Sequence, residues 1–74
     1  MSKREYFVAG SSELGWVVRN GLRVVSRHDS YGEATQAARR LAHQESKVLR
    51  IPTVVHVPDA YGVFQEEWAY SGVR

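Results

Sequence analysis

Cysteine is absent from this chain, and proline occurs only twice among its 74 residues. Without cysteine, neither a disulfide framework nor a thiolate zinc site can support the fold. Long apolar runs are missing too: no segment approaches the ~20 residues that a membrane span requires. Nor does one sign of charge dominate. Ten basic residues stand against eight acidic ones, for a formal charge of +2. That is too little positive charge for nonspecific DNA binding, and there is no acidic excess to mimic a nucleic acid. The start, Met1-Ser2-Lys3-Arg4, is basic, but Glu5 and no apolar stretch follow, so no signal peptide is expected. These absences predict a soluble cytoplasmic protein of one domain, residues 1–74, with no membrane association. A chain this short buries only roughly 60% of its unfolded surface. A deep cofactor pocket would hollow out a core it can hardly spare, so no cofactor and no metal are expected.

What is present is a clear alternation of elements. "REYFVA" (Arg4 to Ala9) has strand composition and ends in the loop-like "GSSELG". "WVVR" and "LRVVSR" form the next two strands, with Asn20-Gly21 as a type I′ turn signal between them. "DSYGEATQAARRLAHQESKVL" is a helix: Ser30 and Glu33 have capping-box spacing, and Ala34, Ala37, Ala38, Leu41 and Ala42 share one face. That small-residue face lets the helix lie close to a sheet. "RIPTVVHV" is a fourth strand with Pro52 near its start, which suggests an edge. "PDAYG" is a turn and "VFQEEWAY" a fifth strand. The fold class predicted is α+β, in the order β-β-β-α-β-β, an antiparallel sheet with one helix packed across one face.

A turn at Asn20-Gly21 sets Arg19 opposite Leu22, Val17 opposite Val24 and Trp16 opposite Val25, and opposed residues share a face. One face then holds Leu14, Trp16, Val18 and Val25 with Arg23 and Arg27. Trp16 is the largest of these, so this face should meet the helix. The other holds Val17, Leu22 and Val24 with Arg19 and Ser26, an apolar strip outside the helix's cover. In the last strand Phe64, Glu66, Trp68 and Tyr70 share one parity, predicted to face the core. Glu66 among those aromatics needs a cationic partner, for which Arg23 and Arg27 are the candidates.

In order along the chain come Tyr6 and Val8, Trp16 and Val18, then Glu33, Ala34, Ala38, Arg39, Leu41 and Ala42. They are followed by Val54 to His56, a turn with Asp59 and Gly62, and a closing Glu67 and Tyr70. This pattern resembles the small bacterial and phage proteins grouped as domain of unknown function 2188, over nearly the whole chain. The resemblance implies a compact α+β domain and no known activity. The chain departs from that pattern at the last turn, where "PDAYG" replaces a tight Asp-Gly, which leaves the geometry of the final hairpin open.

Catalytic chemistry finds little purchase. His28, Asp29 and Ser30 are residue types of a nucleophilic triad, but consecutive side chains diverge where a triad must converge. The three histidines sit on different elements. Glu66 and Glu67 point to opposite faces, and the glycines of "GSSELG" lack the lysine and following helix of a phosphate loop. No catalytic residue is assigned, and the chain is not expected to be an enzyme.

Binding is the expected function, with a protein as the partner. The first reading is a small regulatory module of bacterial or phage type that docks through Val17, Arg19, Leu22 and Val24, with transcription or replication machinery as targets. The alternative is nucleic-acid binding. A three-stranded sheet backed by a helix, with Arg19, Arg23 and Arg27 on its hairpin, resembles the AP2-type domains of some phage integrases. The helix adds a basic stripe of Arg39, Arg40, His43 and Lys47. A homodimer would suit either reading by covering exposed sheet edges.

Overall fold

The computed structural model describes residues 3–72; Met1 and Ser2 of the basic start, with Val73 and Arg74, lie outside them. Six elements follow in order: β1 (Arg4–Ser11), β2 (Gly15–Asn20), β3 (Arg23–His28), α1 (Tyr31–Leu49), β4 (Thr53–Pro58) and β5 (Phe64–Tyr70). This is the β-β-β-α-β-β order predicted. The strands form one sheet in the order β3-β2-β1-β4-β5, with α1 across one face.

The sheet is mostly rather than wholly antiparallel, because β1 and β4 run parallel. The antiparallel steps from β1 to β2 and β2 to β3 leave β3 pointing the same way as β4. The helix is therefore the return leg of a crossover, which a parallel pair requires and a tight turn cannot supply. This also corrects the place of Pro52: β4 is an interior strand. Pro52 stands just before it, where its carbonyl accepts the Arg4 N–H at 2.8 Å.

Helix α1 starts at its predicted cap: the Ser30 hydroxyl accepts the Glu33 N–H at 3.1 Å. Ala34, Ala38 and Ala42 recur at four-residue spacing and are fully covered. Opposite them the sheet supplies bulk from Tyr6, Val8, Val18, Val55 and Val57, with Trp16, Trp68 and Tyr70 closing the ends of the layer. One polar clasp ties β1 to the helix. The buried Tyr6 hydroxyl donates to Glu45 Oε1 at 2.5 Å, and Arg4 Nε lies 3.2 Å from the same oxygen. Burial, then the Glu45 hydrogen bond, push the Tyr6 phenol up to about 12.

Both edge strands contain an extra residue, and each overturns a predicted face. In the first hairpin Asn20 pairs with Arg23, so the two-residue turn is Gly21-Leu22 rather than Asn20-Gly21. Gly21 has φ 64° and Leu22 does not share that sign, the combination of a glycine-first type II′ turn. Leu22 consequently leaves the strand for the turn tip, where it is 97% exposed. Higher up, Ser26 pairs with Val18 but Val24 with Arg19, leaving Val25 as a bulge. The bulge reverses parity: Arg27 pairs with Val17 on the helix-free face, while Ser26 and His28 stand beside Val18 and Trp16. Val25 is not core, and Leu14 sits exposed in the β1–β2 loop.

The second bulge is Glu67, between Trp68 opposite Val55 and Glu66 opposite His56. Trp68 and Tyr70 face the helix, whereas Phe64 and Glu66 face away from it. Glu66 therefore never enters the core, and its partner is Lys3 at 3.8 Å, not Arg23 or Arg27. The "PDAYG" turn is a compact loop built on Asp59. Its Oδ1 accepts the Tyr61 and Val63 N–H groups at 2.8 and 3.0 Å. These backbone donors hold the carboxyl below its usual range.

Candidate functional site

The face without the helix carries an ordered cross-strand row. Val24, Arg19, Phe7, His56 and Glu66 are successive partners across all five strands. At its centre the Phe7 and His56 rings stack at 4.5 Å, and Phe64 meets Phe7 edge-on at 5.2 Å. His56 Nε2 donates to Glu5 Oε1 at 2.9 Å, which anchors the ring's orientation. A second row, Arg27, Val17 and Ala9, lies beside the first. Adjacent parity adds Val54, which is buried.

Of the residues predicted for protein docking, Val17, Arg19 and Val24 share this face, and Leu22 does not. Phe7, His56 and Phe64 belong to it and were not among the predicted site residues. Their signal was present in "REYFVA", where Phe7 falls out of step with the core pair Tyr6 and Val8. One atom stands out electrostatically: Arg19 Nε is buried and has no hydrogen-bond partner among the described residues. The three hairpin arginines do not form one reading surface. Arg19 and Arg27 share the helix-free face, while Arg23 pairs with Asn20 on the helix side of the sheet.

The predicted basic stripe of the helix divides as well. Arg39, Arg40 and His43 converge with Gln36 and Tyr70 around a shallow cavity of about 310 Å³ between α1 and edge strand β5. Arg39 lies over the Trp68 ring at 4.5 Å, and His43 stacks on Tyr70 at 5.0 Å. Lys47, in the last helical turn, is not part of that lining.

The residue types considered for catalysis are occupied elsewhere. Ser30 caps the helix, and His28 Nε2 pairs with Ser26 Oγ at 2.8 Å. Among the described residues no group of three or more His, Asp or Glu side chains is placed to hold a metal ion. No helix among them is long and apolar enough to cross a membrane.

Comparison with known proteins agrees with the pattern read from the residues. No curated protein and no solved structure matches the chain. A family model described as "Uncharacterized protein conserved in bacteria (DUF2188)" matches residues 6–70, from the buried tyrosine of β1 to the last residue of β5. The chain belongs to the DUF2188 family.

Proposed function

We propose that the protein is a small non-enzymatic binding module. It docks on protein through the helix-free sheet face, and its first partner is a second copy of the chain. The observation that carries this reading is Arg19 Nε, buried in an uncovered sheet face with no hydrogen-bond partner among the described residues. An unsatisfied buried donor costs about 1–3 kcal/mol. A partner that brings an acceptor removes that cost and covers Phe7, Phe64 and Val17 at the same time.

Charge distribution supports a second copy as that partner. Arg19 and Arg27 lie on the β2–β3 side of the face and Glu66 on the β5 side. Consider a two-fold axis in the interface plane, along the strands. It lays the β2–β3 half of one copy over the β4–β5 half of the other. Phe7 then meets its counterpart in the centre, and Glu66 lies over β3 of the other copy, one strand from that copy's Arg19. Sheets stacked this way share a core roughly 10 Å thick, and an isologous contact satisfies both copies alike. A regulatory role on transcription or replication machinery extends the reading: such a module works by covering a surface, without turning over a substrate.

Size-exclusion chromatography with light scattering tests the assembly. The expected result is a dimer that Arg19→Glu dissociates and Arg19→Glu with Glu66→Arg restores. A wild-type chain that stays monomeric at high concentration, with elution unaffected by either substitution, would overturn the reading.

A further inference from the structure

We infer that the cleft between α1 and β5 is an anion site for one compact phosphate-bearing group, bound by Arg39, Arg40 and His43 beside the Tyr70 hydroxyl. It lies on the opposite side of the sheet from the docking face and does not depend on it. Gln36, Arg39, Arg40 and His43 occupy positions on adjoining helical turns, so the backbone alone brings them to one side. Tyr70 arrives from the edge strand and closes the cleft.

Two features separate this cleft from an ordinary solvated basic surface. The first is that the donors are already held in place. The Arg39 guanidinium lies over Trp68 and the His43 ring stacks on Tyr70. A guanidinium seated against an aromatic ring keeps its in-plane N–H groups free for an oxyanion. Fixing it beforehand also removes part of the entropy cost of binding. The second feature is an unmatched charge. Among the described residues neither Arg39 nor Arg40 forms an ion pair. Glu45, two residues along the helix from His43, is engaged by Arg4 and Tyr6.

The ligand chemistry follows from the donors. Guanidinium groups form paired, charge-assisted hydrogen bonds with phosphate oxygens, and the tyrosine hydroxyl adds a neutral donor. The aromatic rings are already engaged by Arg39 and His43, so they are not a stacking platform for a run of bases. The cations converge on one cleft of about 310 Å³ and leave Lys47 outside it. That geometry suits a single phosphate group better than a polymer backbone tracked along a groove.

NMR titration of the full chain with inorganic pyrophosphate, adenosine monophosphate and a mixed-sequence single-stranded oligonucleotide tests the site. Pyrophosphate and adenosine monophosphate should give saturable shifts confined to Arg39, Arg40, His43 and Tyr70. Arg40→Gln, at an exposed position, should weaken binding roughly tenfold or more, and Lys47→Gln should leave it unchanged. Equal affinity for the two small ligands assigns recognition to the phosphate; tighter binding of adenosine monophosphate extends it to the nucleoside. The proposal is overturned by absence of saturable shifts, by full binding in a folded Arg40→Gln variant, or by oligonucleotide shifts spreading to Lys47 with far tighter affinity. Dimerisation, read separately by light scattering, should be the same in Arg40→Gln as in the wild type.

Discussion

On its covered side the sheet offers Tyr6, Val8, Val18 and Val55 to a helix whose contact surface is mostly small side chains, alanine above all. On the other side it offers Phe7, Arg19, His56 and Phe64 to solvent. Both sides are rich in large side chains, so hydrophobicity alone does not tell them apart. What differs is how polar groups are handled. The covered side satisfies its buried phenol through Glu45 and leaves only a neutral hydroxyl, Thr35 Oγ1, without a hydrogen-bond partner among the described residues. The uncovered side has rings already stacked on one another and a guanidinium nitrogen with no hydrogen-bond partner among the described residues. The first arrangement is covered by the helix of its own chain. The second is organised without a helix over it, which is why docking is proposed there.

The same substitution on each side tests that difference most severely. Ala38→Leu pushes bulk into a closed contact and should cost about 1–3 kcal/mol in urea denaturation. Ala9→Leu adds the same atoms to the half-buried open face and should stay within about 0.5 kcal/mol. If the two variants melt together, the open face is as tightly packed as the covered one.

A smaller effect separates the neighbours Tyr6 and Phe7. Tyr6→Phe removes the bond to Glu45 and should destabilise by roughly 1–2 kcal/mol, whereas Phe7→Tyr should be nearly neutral. The pH dependence has a definite sign. The Tyr6 phenol is raised from 10.0 to about 12, so the fold favours its neutral form. That contribution is fully present below pH 10 and is lost as pH rises from 10 towards 12. Alkaline denaturation curves should therefore show less loss across this window in Tyr6→Phe than in the wild type.

The smallest effects concern two buried polar atoms that lack hydrogen-bond partners among the described residues, Thr35 Oγ1 on the helix and Arg19 Nε on the open face. Thr35→Val keeps the shape and removes an unsatisfied hydroxyl, so it should raise stability by about 1 kcal/mol or less. Its assembly should be unaffected. Arg19→Met should be similarly harmless to the monomer but should abolish the dimer. Equal behaviour of the two variants in light scattering would mean that the orphan guanidinium nitrogen has no binding role.

Much of the covered side could be read from the chain. The Ser30 cap and the Ala34, Ala38, Ala42 spacing are local signals, as is the Trp16–Val18 alternation. The parallel pairing of β1 with β4 leaves no local trace, because it joins residues far apart in sequence. The bulges were hidden for a related reason: an extra residue exists only relative to a partner strand. Yet Glu66, set in phase with Phe64, Trp68 and Tyr70, marked the place where strict alternation fails. A carboxylate that alternation sends into an aromatic core signals a register break, and Glu67 supplies it. The helix cleft was half visible. Arg39, Arg40 and His43 could be grouped from helical spacing, but Tyr70 could not be placed against them without the sheet order.

The paired bulges also bear on how the protein avoids sticking to itself in the wrong way. Strands β3 and β5 are the two open margins of the sheet, and each is interrupted by one unpaired residue, Val25 or Glu67. A bulge bends a strand and breaks its ladder of free N–H and C=O groups, so an incoming strand cannot pair along its length. Growth sideways into continuous cross-β ribbons is thereby discouraged at both ends. Deleting Val25 or Glu67 would straighten a margin and turn part of its side chains to the other face. The expected outcome is an aggregating chain, detectable by thioflavin fluorescence.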